Sequence, residues 1–323
     1  MKSRLALAAL FAALAVTSCA PEPARDPSAK AAHVEPRASW YGGVVDESTD
    51  LVIALSPTRL MRDPSYGPIF QRASRLAAAK SPGTQIHGTT LDALQQSDAI
   101  VVGVKDSMDL DAVLIIAGVP AGFDAARLVD GEGRSLWKPS HEPSIAGVSE
   151  MERASAPSTS IATEAPASFF VLPGRTWILA TGAARERVRD ALVRSLPAAP
   201  YVADRHDLVA VTLGREVVAR VRRRVGPGLG PITEGLLRVE ATVGDGAQGQ
   251  VGAVFFYDDE HHAANATQRG GEVIALLADK LSPHLDFLRA GSLTKADRTV
   301  RLSARLPTAL LKRFAEVEDL PAP

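Results

Sequence analysis

Five consecutive residues, Asp258-Asp259-Glu260-His261-His262, make the densest run of metal-ligating and acid–base side chains in the sequence, directly after an apolar, strand-like stretch. Carboxylates and imidazoles are the donors that zinc, nickel or calcium use, and a strand end is a usual place to present them. Adjacent His261 and His262 cannot both turn toward one ion on a helix, and no H-E-x-x-H or H-x-x-H spacing occurs. Acids just ahead of a helix also cap it and complement its macrodipole. Two readings follow, a helix start and a metal-binding or metal-dependent hydrolytic site, and the helix start is the simpler.

The other polar groupings carry less chemistry. Arg215, Arg220, Arg222, Arg223 and Arg224 share one short helical stretch, which could meet anionic lipid headgroups or an acidic glycan or be a solvated face. The loop Gly226-Pro227-Gly228-Leu229-Gly230-Pro231 follows a helix and lacks the Lys-Ser or Lys-Thr of a phosphate-cradling loop. Ser292-Leu293-Thr294-Lys295 resembles the S-x-x-K of penicillin-binding enzymes, but it sits in expected strand without an S-D-N or K-T-G partner. There is no G-x-S-x-G, and His33, His87, His141, His206 and His284 are scattered. Asn265-Ala266-Thr267 fits a glycosylation acceptor. Ala263, Ala264, Thr267, Gly270, Gly271 and Ile274 place small residues on one helix face, for close packing or for a groove. No residue is assigned a catalytic role.

These groups are positioned by an alternation of strands and helices. Asp50 to Leu55 reads as a strand, followed by a helix opened by Ser56-Pro57. A helix from Ile69 to Lys80 follows, then strands Ala99–Val104 and Ala112–Gly118, and a short helix Phe123–Val129. Residues 132–144 read as irregular, and strands Ile145–Glu152 and Phe169–Leu172 flank a low-complexity loop, Ala154 to Ala167. Strand Trp177–Ala180 and an amphipathic helix Arg185–Leu196 close the first half. The pattern then restarts. Asp207-Leu208-Val209 echoes Asp50-Leu51-Val52, and Asp297-Arg298-Thr299 echoes Gly174-Arg175-Thr176. Between the echoes stand a helix from Arg215, strands Leu237–Val243 and Gly252–Tyr257, and a helix reaching Leu281; a helix from Pro307 to Val317 follows the second. The expected fold is α+β: antiparallel sheets with helices on one face, in two duplicated halves, 40–200 and 201–320. Their order resembles the ferredoxin-like βαββαβ arrangement.

The N-terminus is an address. Lys2 and Arg4 precede an apolar run from Leu5 to Val16, the charged and apolar regions of an export signal. Twelve helical residues rise only about 18 Å, against a hydrocarbon core of about 30 Å. The closing residues Val16-Thr17-Ser18-Cys19 resemble the lipobox of bacterial lipoproteins. That resemblance implies cleavage after residue 18, a diacylglycerol and acyl groups on Cys19, and no other cofactor. Ala20, where Asp would mark inner-membrane retention, implies the outer membrane. Residues 19–39 are a Pro/Ala-rich tether.

Cys19 is the only cysteine, so disulfides and Cys-based zinc sites are excluded. The chain has 36 basic and 37 acidic side chains; with Lys2 and Arg4 removed its formal charge is −3, which suggests no nucleic-acid partner. The sequence thus points to a lipid-anchored periplasmic protein of the cell envelope that binds a protein or small ligand. A metal-binding protein or hydrolase, and an assembly or lipid-handling lipoprotein, are the alternatives.

Overall fold

The computed structural model describes residues 44–45, 49–72, 95–106, 111–121, 124, 135, 137–142, 145–154, 166–194, 208–225, 230–244, 250–281, 286–307 and 309. The signal, Cys19, the tether, the helix expected from Phe123 to Val129 and most of those expected at 69–80 and 307–317 lie outside these residues. Twelve strands are described, every reported ladder is antiparallel, and the chain divides into two compact bodies. The architecture is α+β, with helices and antiparallel sheet.

The first body contains the described residues of 37–62 and 70–202. Its strands are β1 (Leu51–Leu55), β2 (Ala99–Asp106), β3 (Asp111–Ala117), β4 (Trp137–Pro139), β5 (Ser149–Arg153), β6 (Ala167–Leu172) and β7 (Thr176–Thr181), lying in the order β1-β2-β3-β7-β6-β5-β4. In β1, buried Val52 and Ala54 alternate with half-buried Leu51, Ile53 and Leu55, the period of two that a sheet imposes. Helix α1 (Pro57–Arg62) starts with proline at its first position, and the Ser56 carbonyl accepts the Leu60 N–H at 2.9 Å. Strands β3 and β7 are buried on both faces. One face builds a cluster of Ile100, Ile116, Val119, Met151, Phe169 and Trp177, with the Trp137 ring tilted against that of Phe169, centroids 5.1 Å apart. The other takes helix α2 (Ala184–Arg194), which buries Ala184, Val188 and Ala191.

Three arginines fasten α2 to three strands. Arg185 donates to Ser168 of β6 at 2.9 Å, Arg187 grips Asp111 of β3 with two bonds of 2.5 and 2.7 Å, and Arg189 pairs with Glu150 of β5.

The second body contains 63–69 and the described residues from 208 onward. Its elements run β8 (Val209–Leu213), α3 (Arg215–Val225), α4 (Gly230–Thr233), β9 (Leu236–Val243), β10 (Gln250–Tyr257), α5 (Glu260–Leu281), a 3-10 turn (Asp286–Ala290), β11 (Ser292–Ala296) and β12 (Thr299–Arg305). The strand order is β11-β12-β10-β9-β8. Val239, Ala241, Val251, Ala253, Val300, Leu302 and Ala304 are buried on one face. Helix α5 covers that face, packing Ala263 and Ala266 against Tyr257 and Val300. On the opposite face Arg238 lies 4.0 Å over the Phe256 ring and 3.1 Å from Glu240.

Neither body has the ferredoxin-like order. A split βαβ unit places strands joined by a helix parallel, with another strand between them, whereas β1 and β2 are adjacent and antiparallel, as are β8 and β9. Strands β2–β3 and β9–β10 pair antiparallel across connections too short for a parallel crossover, and β1 and β8 each add to the outer side of such a pair. Two local expectations also change. Residues 145–148 form a turn closed by Val148 N–H to Ile145 O at 3.0 Å, and the irregular stretch 132–144 contains β4.

Candidate functional site

Strand β10 delivers the acidic run to the start of α5. Asp259 is the helix cap: its Oδ1 accepts the His262 backbone N–H at 2.7 Å, and its carbonyl accepts the Ala263 N–H at 3.4 Å. Glu260 occupies the first turn, where its charge complements the helix dipole. The His262 ring folds back over the cap, placing Nδ1 2.7 Å from Asp258 Oδ1 and 3.2 Å from Asp259 Oδ2. The hydrogen bond to Asp258, reinforced by the charges of Asp259, Asp258 and Glu234, holds the imidazolium above its usual range, while partial burial opposes. Asp259 is held below the usual carboxylate range, chiefly by the backbone N–H of His262.

Gly235 makes room for this pair. It has φ +66°, its carbonyl accepts the Asp258 N–H at 2.9 Å, and a Cβ there would lie 2.3 Å from Asp258 Oδ1 and 2.4 Å from His262 Nδ1. Neighbouring Tyr257 is not a proton donor for this corner: its hydroxyl bonds the Ile232 carbonyl at 2.9 Å, and burial pushes the phenol upward.

Of the five clustered residues, the fold therefore brings three together. Asp258, Asp259 and His262 each offer one ligand atom, all within 4.8 Å of one another. Glu260 turns toward Lys295 at 3.8 Å, and the His261 ring centroid is 6.1 Å from that of His262. One imidazole nitrogen and two carboxylate oxygens could hold a zinc or nickel ion if the metal replaced the Nδ1 proton. The same atoms already satisfy one another as a helix cap.

The small-residue face of α5 splits in two. Gly270 is buried, and a Cβ there would meet Leu293 Cδ1 at 2.6 Å; Gly271 has nothing within 4 Å of such an atom. Thr267, Gln268, Gly271, Ile274, Arg289 and Leu293 are among the residues lining a cleft of about 460 Å³ between α5, the 3-10 turn and β11. Thr267 is turned back to the Ala263 carbonyl at 2.9 Å, and Arg289 pairs with Asp279.

The remaining sequence candidates stay apart. Arg215, Arg220, Arg222 and Arg223 are exposed on α3, and the Arg224 side chain lies outside the described residues. Ser292 and Lys295 lie in β11, paired with Ser303 and Val300 of β12, so the S-x-x-K spacing opens no helix. His141 is exposed, 3.7 Å from Glu152, while His33, His87, His206 and His284 lie outside the described residues. Sequence reasoning missed the Arg185, Arg187 and Arg189 contacts, because their partners come from strands distant in sequence. Compared with protein-family models, curated proteins and solved structures, the chain matches none.

Proposed function

We propose that the chain is a lipid-anchored protein of the bacterial cell envelope, facing the periplasm and held by acyl groups on Cys19, whose work is binding and not catalysis. The observation that carries this reading is the sequence Val16-Thr17-Ser18-Cys19 at the end of a charged and apolar leader, followed by a proline-rich tether. The cluster at α5 supports the binding half of the reading. Asp258, Asp259 and His262 bring one ligand atom each within 4.8 Å of one another there.

The two bodies are, in this reading, an internal duplication of a five-stranded antiparallel unit with its strands in the spatial order first, second, third, fifth, fourth. Ladder positions support it: Leu55 faces Ile100 as Leu213 faces Val239, and Ile116 faces Ile100 as Phe255 faces Val239. Trp177 then joins Ile116 as Val300 joins Phe255, and β6 flanks β7 as β11 flanks β12. By these ladders Leu51 corresponds to Val209, so the Asp-Leu-Val echo is one residue out of step with the structural match.

Mass spectrometry of the N-terminal peptide of the mature protein tests the anchor. Diacylglycerol on Cys19, and its disappearance with retention of residues 1–18 in Cys19→Ala, is the expected result. An unmodified Cys19, or a mature chain that starts elsewhere, refutes it. A second reading, a metal site at Asp258, Asp259 and His262, is favoured by the convergence of their ligand atoms. It requires stoichiometric zinc or nickel binding that is lost in His262→Ala.

A further inference from the structure

We infer that the arginine face of α3 is a second membrane contact, which lays the body down on the anionic phospholipid surface that holds the Cys19 lipid. This inference rests on the lipid-anchor reading and adds a docking surface to it. Helix α3 has the sequence Arg-Glu-Val-Val-Ala-Arg-Val-Arg-Arg-Arg-Val, with Glu216 its lone carboxylate. At 100° per residue Val217 and Val218 fall on one side, and Arg215, Arg220, Arg222 and Arg223 spread over the other. Val218 is 5% exposed, which fixes the valine side as the one turned to the protein.

Arg215, Arg220, Arg222 and Arg223 are all exposed, and none has an ion-pair partner among the described residues. Several arginines elsewhere are paired: Arg187 with Asp111, Arg189 with Glu150, Arg238 with Glu240, Arg269 with Glu272 and Arg289 with Asp279. A nearly neutral protein with four cations on an 11-residue helix that have no ion-pair partner among the described residues presents a local field complementary to a phosphate-rich surface. Reach is no obstacle in the lipid-anchor reading, because a proline-rich stretch of the length of residues 20–39 would span up to roughly 60 Å at about 3.1 Å per residue. One lipid chain plus a basic patch is also a stable combination of membrane signals.

The test uses the full mature chain without acyl groups, co-sedimented with vesicles of phosphatidylglycerol and phosphatidylcholine, or of phosphatidylcholine alone. Binding to the anionic vesicles that falls as salt rises is expected, with none to the neutral ones. Each Arg→Gln at 215, 220, 222 or 223 should weaken binding roughly five-fold, and all four together several hundred-fold. Arg269→Gln with Arg301→Gln, exposed cations elsewhere in the same body, should leave it unchanged. Equal binding to neutral vesicles, no binding at all, or undiminished binding by a quadruple variant with the parent's circular dichroism overturns the inference. The two readings fail separately. A chain that binds these vesicles but is never acylated in cells refutes the anchor alone, and an acylated chain indifferent to vesicle charge refutes the contact alone.

Discussion

Adjacent glycines in the middle of α5 should respond to the same substitution in opposite ways. Gly270→Ala and Gly271→Ala each remove the backbone freedom of a helical glycine, a gain of about 1 kcal/mol. At Gly271 the new methyl meets nothing within 4 Å, so that gain is kept whole. At Gly270 it would stand 2.6 Å from Leu293 Cδ1 and 3.9 Å from its Cγ, inside the contact between α5 and β11. Overpacking of this kind costs about 1–3 kcal/mol. Because the atom met is the far end of a leucine, part of the strain relaxes, and Gly270→Ala should fall between neutral and about 2 kcal/mol destabilising. The gap between the variants is therefore roughly 1–3 kcal/mol. Urea unfolding followed by circular dichroism, with midpoints compared at constant slope, measures it. Leu293→Ala should abolish the penalty at 270 and leave the gain at 271 untouched, a coupling that a double-mutant cycle reads directly. Two variants equally stabilised, or a Gly270 penalty that survives loss of the Leu293 side chain, would refute the close-approach reading.

Removing the clamp between α2 and β3 by Asp111→Ala should cost about 2–3 kcal/mol. That is less than a fully buried pair, because the Arg187 side chain is 26% exposed beside an 8% exposed carboxylate; a urea midpoint unchanged from the parent would contradict it. The first turn of α5 should be firmest in a pH window. His262, raised from 6.5, contributes fully below that value and loses its contribution as pH rises through the folded value; Asp259, lowered from 3.8, contributes above 3.8 and loses it as pH falls through its own. Amide protection of Ala263 should fall at both ends, and His262→Gln should remove the alkaline limb alone; an alkaline limb that persists in the variant sinks the assignment. Gly235→Ala forces a side chain into a left-handed backbone, a cost of about 1–2 kcal/mol, and displaces Asp258 and His262. Its NMR titration should bring His262 back toward 6.5, and an unmoved titration would count against the role given to Gly235.

The sequence made most of the strands legible, because β1, β2, β3, β9 and β10 alternate or run apolar between turn residues, and the start of α5 was legible from Asp259 and the apolar spacing behind it. Pairing was not. Nothing in Leu51–Leu55 says that it lies beside Ala99–Asp106 in antiparallel sense, and the ferredoxin-like order came from element order alone. Strand β4 was missed because three residues ending in Pro139 carry no periodicity. The site was half legible. Residue types flagged Asp258 to His262, but only the backbone at Gly235, distant in sequence and left-handed, shows why Asp258 and His262 meet while Glu260 and His261 turn away. Gly270 and Gly271 are indistinguishable as letters, and their difference is the position of Leu293.

The outermost strands bear on how the protein behaves when crowded. Among the described residues β4 ends the strand order of the first body and β11 that of the second, so each offers backbone groups to any other chain that comes alongside. Strand β4 spans three residues and ends in Pro139, which has no N–H to give, and β11 carries exposed Lys295. A second copy laid strand to strand on β4 would find little to zip onto, and one laid antiparallel on β11 would bring like charges near one another. These two edge strands thus carry the short length, proline and lysine that natural sheets use against stacking into fibres, a colloidal safeguard written into eight residues.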